Sequence, residues 1–151
     1  MIMNTYGKKT KSDHSEVPTS FWLLLQLMFE AKHRLADSAE KHGLTMMQAN
    51  VLAILEPDTP RPMSILSDKL GCDASNVTGL VDRLVKHGAI DREDNPNDRR
   101  VKNIVLTKAG SSLRTKIINE LAEAEQVRLQ AVLSDDERQL FHDLLEHIQR
   151  G

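Results

Sequence analysis

The stretch LSDKLGCDASNVTGLVDRLVKHGAIDREDNPNDRRVKNIVLTKAG, residues 66–110, decides the fold. It opens inside a short helix expected from Met63 to Leu70. Gly71-Cys72-Asp73 reads as a tight turn, and Asp73 is a residue type that caps helices. A second helix should run from there to about His87, with Gly88 ending it. Ala89–Glu93 and Val101–Leu106 read as two strands. Between them the seven residues DNPNDRR hold turn formers and two arginines. Helix, tight turn, helix and β-hairpin is the order of a helix-turn-helix followed by a wing.

At 100° per residue, Val77, Leu80, Val81, Leu84 and Val85 fall on one side of the second helix. Ser75, Gly79, Asp82 and Lys86 fall opposite, flanked by Asn76, Thr78 and Arg83. The first face is core. The second offers short hydrogen-bonding groups near the N-terminus and cations further along, as a helix read against base edges in the major groove requires. An amphipathic surface helix would have the same pattern. Gly79 costs about 1 kcal/mol of helix propensity relative to Ala, which close approach to another surface would explain. Two arginines on a thin projection suit the minor groove, where narrow A·T-rich stretches concentrate negative potential. A solvated charged turn is the plainer alternative.

Outward from this stretch the pattern is helical. Phe21–His42 carries Phe21, Leu24, Leu25, Met28, Leu35 and Ala39 at steps near three and four, with Trp22 and Phe29 widening the stripe. Thr45 and Gln48 have capping-box spacing ahead of a short helix to about Leu55, which Pro57, Pro60 and Pro62 end. Thr107 can cap a helix carrying Leu113, Ile117, Leu121 and Ala124 as far as Val132. Ser134 and Glu137 make a second box before a last helix with Leu140, Phe141, Leu144, Leu145 and Ile148.

The bulk numbers suit one soluble domain: 151 residues, 40% apolar, 28% charged. The net charge is −2, but residues 61–108 hold 9 cations against 7 anions, while both flanking segments are net negative. That bias favours nucleic acid weakly. Aromatics at 3% argue against a single-strand binder that stacks bases. The longest apolar run, Phe21–Leu25, is too short to span a bilayer, and residues 1–20 read as a polar, flexible arm without a secretory signal. One cysteine, Cys72, excludes an intrachain disulfide, and a cytoplasmic setting is the simplest expectation. Cys72 reads as a small buried hydrophobe before it reads as a redox sensor. His142 and His147 are five residues apart, off any single helical face, so no metal site is expected. No nucleophile elbow, phosphate loop or paired-cysteine motif is present, and no cofactor or enzymatic activity is implied.

Residues 66–110 closely resemble the MarR family of regulators. The resemblance rests on Leu66, Leu70-Gly71, the VDRL segment at 81–84, Gly88, the DRR segment at 98–100 and Leu106-Thr107, in matching order and spacing. It extends over about residues 20–150. It implies a mainly α fold with a small β-hairpin wing: a winged helix-turn-helix, about residues 45–106, slung from a dimerisation platform of N- and C-terminal helices, about 21–42 and 108–150. It implies a homodimer that binds pseudo-palindromic double-stranded DNA, usually as a repressor, and often one relieved by a small aromatic or phenolic ligand. Carried over residue by residue, Ser75, Asn76, Thr78 and Arg83 match recognition-helix positions, and Gly79 joins them as a DNA-contact candidate by its place on the outer face. Arg99 and Arg100 belong to the wing, and Asp98 braces it. Ser64, Lys86 and Lys102 are candidates for phosphate contact. Phe21, Trp22, Leu140, Phe141 and Leu144 are candidates for the dimer interface. Trp22, Phe29, His33, Met46 and Met47 could line a ligand pocket, although plain packing explains such a stripe as well. The rival function is a winged helix used as a protein–protein module, which has little need of two arginines at its tip.

Overall fold

The computed structural model describes residues 19–98 and 100–150. Most of the expected N-terminal arm, residues 1–18, and Arg99 of the wing lie outside the described residues. The elements in chain order are α1 (Thr19–Lys41), α2 (Met46–Ile54), β1 (Arg61–Pro62), α3 (Ser64–Leu70), α4 (Ala74–Lys86), β2 (Ile90–Asp94), β3 (Lys102–Leu106), α5 (Lys108–Gln130) and α6 (Asp135–Arg150). Helix α1 starts at Thr19, so the last two residues assigned to the arm belong to it.

The caps explain most of the boundaries. Thr45 Oγ1 accepts from the Gln48 backbone N–H while the Gln48 side chain accepts from the Thr45 N–H, closing the expected box at the start of α2. Ser134 and Glu137 do the same ahead of α6. Thr107 accepts from the Gly110 N–H at 2.9 Å. Asp73 occupies the position before α4, but its carboxylate makes no capping hydrogen bond, so it serves the turn by its extended backbone alone. Between α3 and α4, Gly71 adopts φ 61°, ψ 34°, a left-handed conformation that an L side chain rarely takes.

The sheet has three antiparallel strands in the order β1-β3-β2, not the two of a simple hairpin. The additional strand is the pair Arg61–Pro62, laid along β3 opposite Ile104 and Asn103. Proline is tolerated there because β1 is an edge strand. Strand β2 runs one residue further than expected, so Asp94 pairs with Lys102 across the ladder and the loop starts at Asn95.

One core joins these elements. Val51, Leu52 and Leu55 from the α2 region, Leu66 from α3, Val77, Val81 and Leu84 from α4, and Ile90 and Ile104 from the sheet are fully buried. Ile117 brings α5 onto this core and Ala39 brings α1. Val85, placed on the core face of α4 by its phase, is only half-buried at the helix end. Helix α6 contributes no buried residue. Its Leu140, Leu144 and Ile148 are 59%, 52% and 73% exposed. At the other end of the chain, Phe21 and Trp22 are 50% and 57% exposed. No described helix is long and apolar enough to cross a membrane.

Candidate nucleic-acid interface

Burying Val77, Leu80, Val81 and Leu84 leaves the other half of α4 in solvent. Ser75, Asn76, Thr78, Arg83 and Lys86 are exposed, and Gly79 and Asp82 are half-buried. Thr78 Oγ1 donates to the Ala74 carbonyl at 2.8 Å, which commits its proton and leaves its lone pairs and methyl group for a partner. A Cβ built on Gly79 would meet nothing within 4 Å, so none of the described residues requires the glycine. The surface above it is open to an approaching molecule. Ser64 stands exposed at the first position of α3.

The wing is held by local side-chain bonds. Asn95 Oδ1 accepts from the backbone N–H groups of Asn97, at 2.9 Å, and Asp98, at 3.3 Å. The Asn95 side-chain amide donates to Asn103 Oδ1 on β3, at a buried position. Asp98 Oδ1 then accepts from both the backbone N–H of Arg100, at 3.0 Å, and its Nε, at 3.2 Å. Asp98 is thus a brace, and the Arg100 side chain it orients is 92% exposed. Lys102 pairs with Asp94 near the loop.

Two charged partners of this surface escape a reading of the loop alone. Arg92 on β2 reaches back to Asp82 on α4, Nη2 to Oδ1 at 2.5 Å. Arg61 on β1 bonds Glu56 at 3.4 Å. The signal for Arg92 is the two-residue period of the strand: Ile90 enters the core, so Arg92 shares its face. Cys72 is half-buried, packs against the core, and lies 3.5 Å from the Leu70 carbonyl, which accepts from its thiol.

The five residues expected to share a ligand pocket do not converge. Met46 and Met47 line a cleft of about 600 Å³ together with Lys32, Asn50, Ile54, Lys69 and Arg114. Trp22, Phe29 and His33 are exposed on a separate stripe of α1 and do not line it. Their spacing of seven and four residues keeps them together on that stripe, beside the cleft, where Lys32 Nζ lies 5.9 Å from the Phe29 ring centroid. Of the expected interface residues, Phe21, Trp22, Leu140 and Leu144 are exposed. Phe141 is half-buried in a different cleft of about 640 Å³ between α1, α5 and α6.

Comparison with known proteins agrees with this architecture. The MarR family profile matches residues 44–102. The HTH-type transcriptional regulator YfiV of Bacillus subtilis is 32% identical over 122 residues, covering 78% of this chain and 74% of its own. Among solved structures, apo wild-type MarR of E. coli superposes with a TM-score of 0.78 over 89% of this chain and 98% of its own, at 23% identity, and a structure described as the Multiple Antibiotic Resistance Repressor, MarR, with a TM-score of 0.78 over 89% and 96%, at 23% identity. An F27L mutant of S. aureus MepR, bound to an oligodeoxyribonucleotide, superposes with a TM-score of 0.62 over 87% and 96%, at 24% identity. The chain belongs to the MarR family and is a DNA-binding transcriptional regulator of the helix-turn-helix type.

Proposed function

We propose that the chain is a cytoplasmic repressor that binds a pseudo-palindromic operator as a homodimer, with α4 in the major groove and the wing in the flanking minor groove. The observation that carries this is the pairing of two surfaces. The exposed first turns of α4 present Ser75, Asn76 and Thr78. Asp98 holds Arg100 outward on the wing. MepR in its DNA-bound form has the same fold, and MarR carries the name repressor. Selection of duplexes from a random pool tests the reading. The expected product is an inverted repeat with half-sites roughly 10 bp apart, bound with a steep salt dependence. Asn76→Ala should then relax preference at particular bases, at about 1–3 kcal/mol for a paired contact. Recovery of no sequence at low salt overturns it.

A ligand would relieve repression from the cleft of Met46, Met47, Lys32, Lys69 and Arg114. It lies where α1, α2, the end of α3 and α5 meet, so filling it changes how the recognition unit sits on the platform. Its lining cations Lys32, Lys69 and Arg114 favour an aromatic ligand carrying an acceptor such as a phenolate or carboxylate. Titration with aromatic acids and phenols should raise the melting temperature and release DNA, and Arg114→Met should abolish both effects.

A further inference from the structure

Asp82 and Arg92 are outside every contact assigned to DNA above, yet they form the one ion pair between recognition helix and wing among the described residues. Arg92 lies opposite Ile104 across the ladder, on the sheet face that carries Ile90 into the core. Its stem is thereby directed over α4, one step beyond the last buried residue of its strand. The pair is 34% exposed at Arg92 and 48% at Asp82, so it sits at the rim between core and solvent. Asp82 lies beside Arg83 and one turn before Lys86, on the half of α4 that faces outward. A bare carboxylate there would stand against phosphate. Paired with Arg92 it is neutralised, and the same bond fixes the wing relative to the helix.

We propose that Asp82 and Arg92 are positioning residues for DNA binding. The pair latches the wing at the angle that lets Arg100 and the first turns of α4 engage one duplex together, and it cancels the only carboxylate on the outer half of α4. The inference rests on α4 and the wing being the DNA face.

The test is a double-mutant cycle on the tightest duplex that the wild-type chain recovers from a random pool, with thermal melts of each variant. A rim pair contributes little to folding, so the variants remain folded. If Arg92→Ala should not fold, Arg92→Gln takes its place. Arg92→Ala is expected to weaken binding about tenfold, because it frees the wing and bares Asp82. Asp82→Asn alone should weaken it about threefold, through the wing. In the Arg92→Ala background, the same Asp82→Asn should strengthen binding about threefold, since only repulsion is left to remove. This reversal of sign is the signature. Arg92→Ala should also reduce discrimination between A·T-rich and G·C-rich flanks while base preference in the half-sites persists. Tighter binding by Asp82→Asn in both backgrounds overturns the latch and makes Arg92 dispensable for wing placement. Unchanged flank discrimination in Arg92→Ala overturns it too. Arg83→Ala and Arg100→Ala on the same duplex separate the two levels. Loss in those variants with an uncoupled cycle sinks the latch alone, and no loss in them sinks the DNA face beneath it.

Discussion

A single carboxylate oxygen, Glu120 Oε2, joins the end of α1 to the middle of α5. It accepts from Ser38 Oγ at 3.3 Å and lies 3.0 Å from His42 Nε2. The hydrogen bond from His42 is the main cause that holds its pKa below the ordinary glutamate value of 4.5, against the opposing effect of burial. Glu125 is lowered chiefly by its hydrogen bonds from Arg128, and Glu137 by the Ser134 backbone N–H and hydroxyl. For each, the folded chain binds a proton less readily than the unfolded chain. The stabilisation is therefore complete above the unfolded value and is lost as pH falls through the folded one. Stability should be level from neutral pH down to the carboxylate range and then drop. Glu120→Gln should lower the urea midpoint at pH 7 and shallow the acid drop, whereas Glu123→Gln, exposed on the same helix, should change neither. Urea melts from roughly pH 7 to pH 3 measure this. A wild-type acid limb retained in Glu120→Gln would remove His42–Glu120 from the balance.

At the scale of elements, two helical glycines give opposite predictions. Gly110, in the first turn of α5, lies against the turn from α4 into β2. An added Cβ would stand 1.7 Å from the Ala89 carbonyl oxygen, the same oxygen that accepts from the Thr107 N–H at 3.1 Å. Helix propensity alone gives Gly→Ala about 1 kcal/mol of stabilisation. Here displacement of backbone outweighs it, and Gly110→Ala should destabilise by about 2 kcal/mol or more. Gly79→Ala meets open space and should raise the melting temperature by about 3 °C while weakening DNA binding. Equal melting shifts in both variants would refute the close approach at Gly110.

These elements also mark how far the sequence could be read. The two capping boxes and the buried stripe of α4 were legible because their partners lie within four residues. Strand β1 was not: two residues, one of them Pro62, carry no period, and only β3, some forty residues on, makes them a strand. Asp73 has the composition of a cap, yet the turn geometry leaves its carboxylate unused. Asp98 as a brace was legible from its neighbour in sequence, while Arg92 was hidden in the acidic run IDRED, its partner on another element. Composition groups the stripe of Trp22, Phe29 and His33 with Met46 and Met47, but composition does not fix which side of α1 meets α2.

Among the described residues of the whole molecule, the exposed large apolar side chains lie on α1, at the end of α5 and on α6. A 16-residue helix with no buried residue, α6, is held on the described residues only by a few half-buried side chains such as Phe141, and isolated helices of this length are marginal in water. Leu140, Leu144 and Ile148 lie at steps of four along it, and Leu145 widens the stripe. Phe21, Trp22, Leu23 and Leu24 are each half-exposed or more, on every side of the first turns of α1. Leu24, Leu27, Met28, Leu129, Phe141 and Leu145 wall the cleft between α1, α5 and α6. Fully burying a leucine or phenylalanine is worth about 1.5–3 kcal/mol, so covering half a dozen of these half-exposed side chains on each protomer contributes about 9–18 kcal/mol, of the size needed to offset the roughly 4–15 kcal/mol that association costs. A two-fold pairing of these ends would cover both surfaces at once and set two α4 helices at a fixed separation. The chain should accordingly have a dimeric mass at micromolar concentration in sedimentation equilibrium. Leu144→Arg should shift it to monomer, lower the helical signal as α6 frays, and weaken operator binding by orders of magnitude, while a single half-site is bound as poorly by wild type as by the variant. Lys108→Ala, outside the ends, should leave the mass unchanged. A wild-type monomer at that concentration, or a Leu144→Arg dimer that still binds the full operator, would overturn the platform formed by α1, α5 and α6.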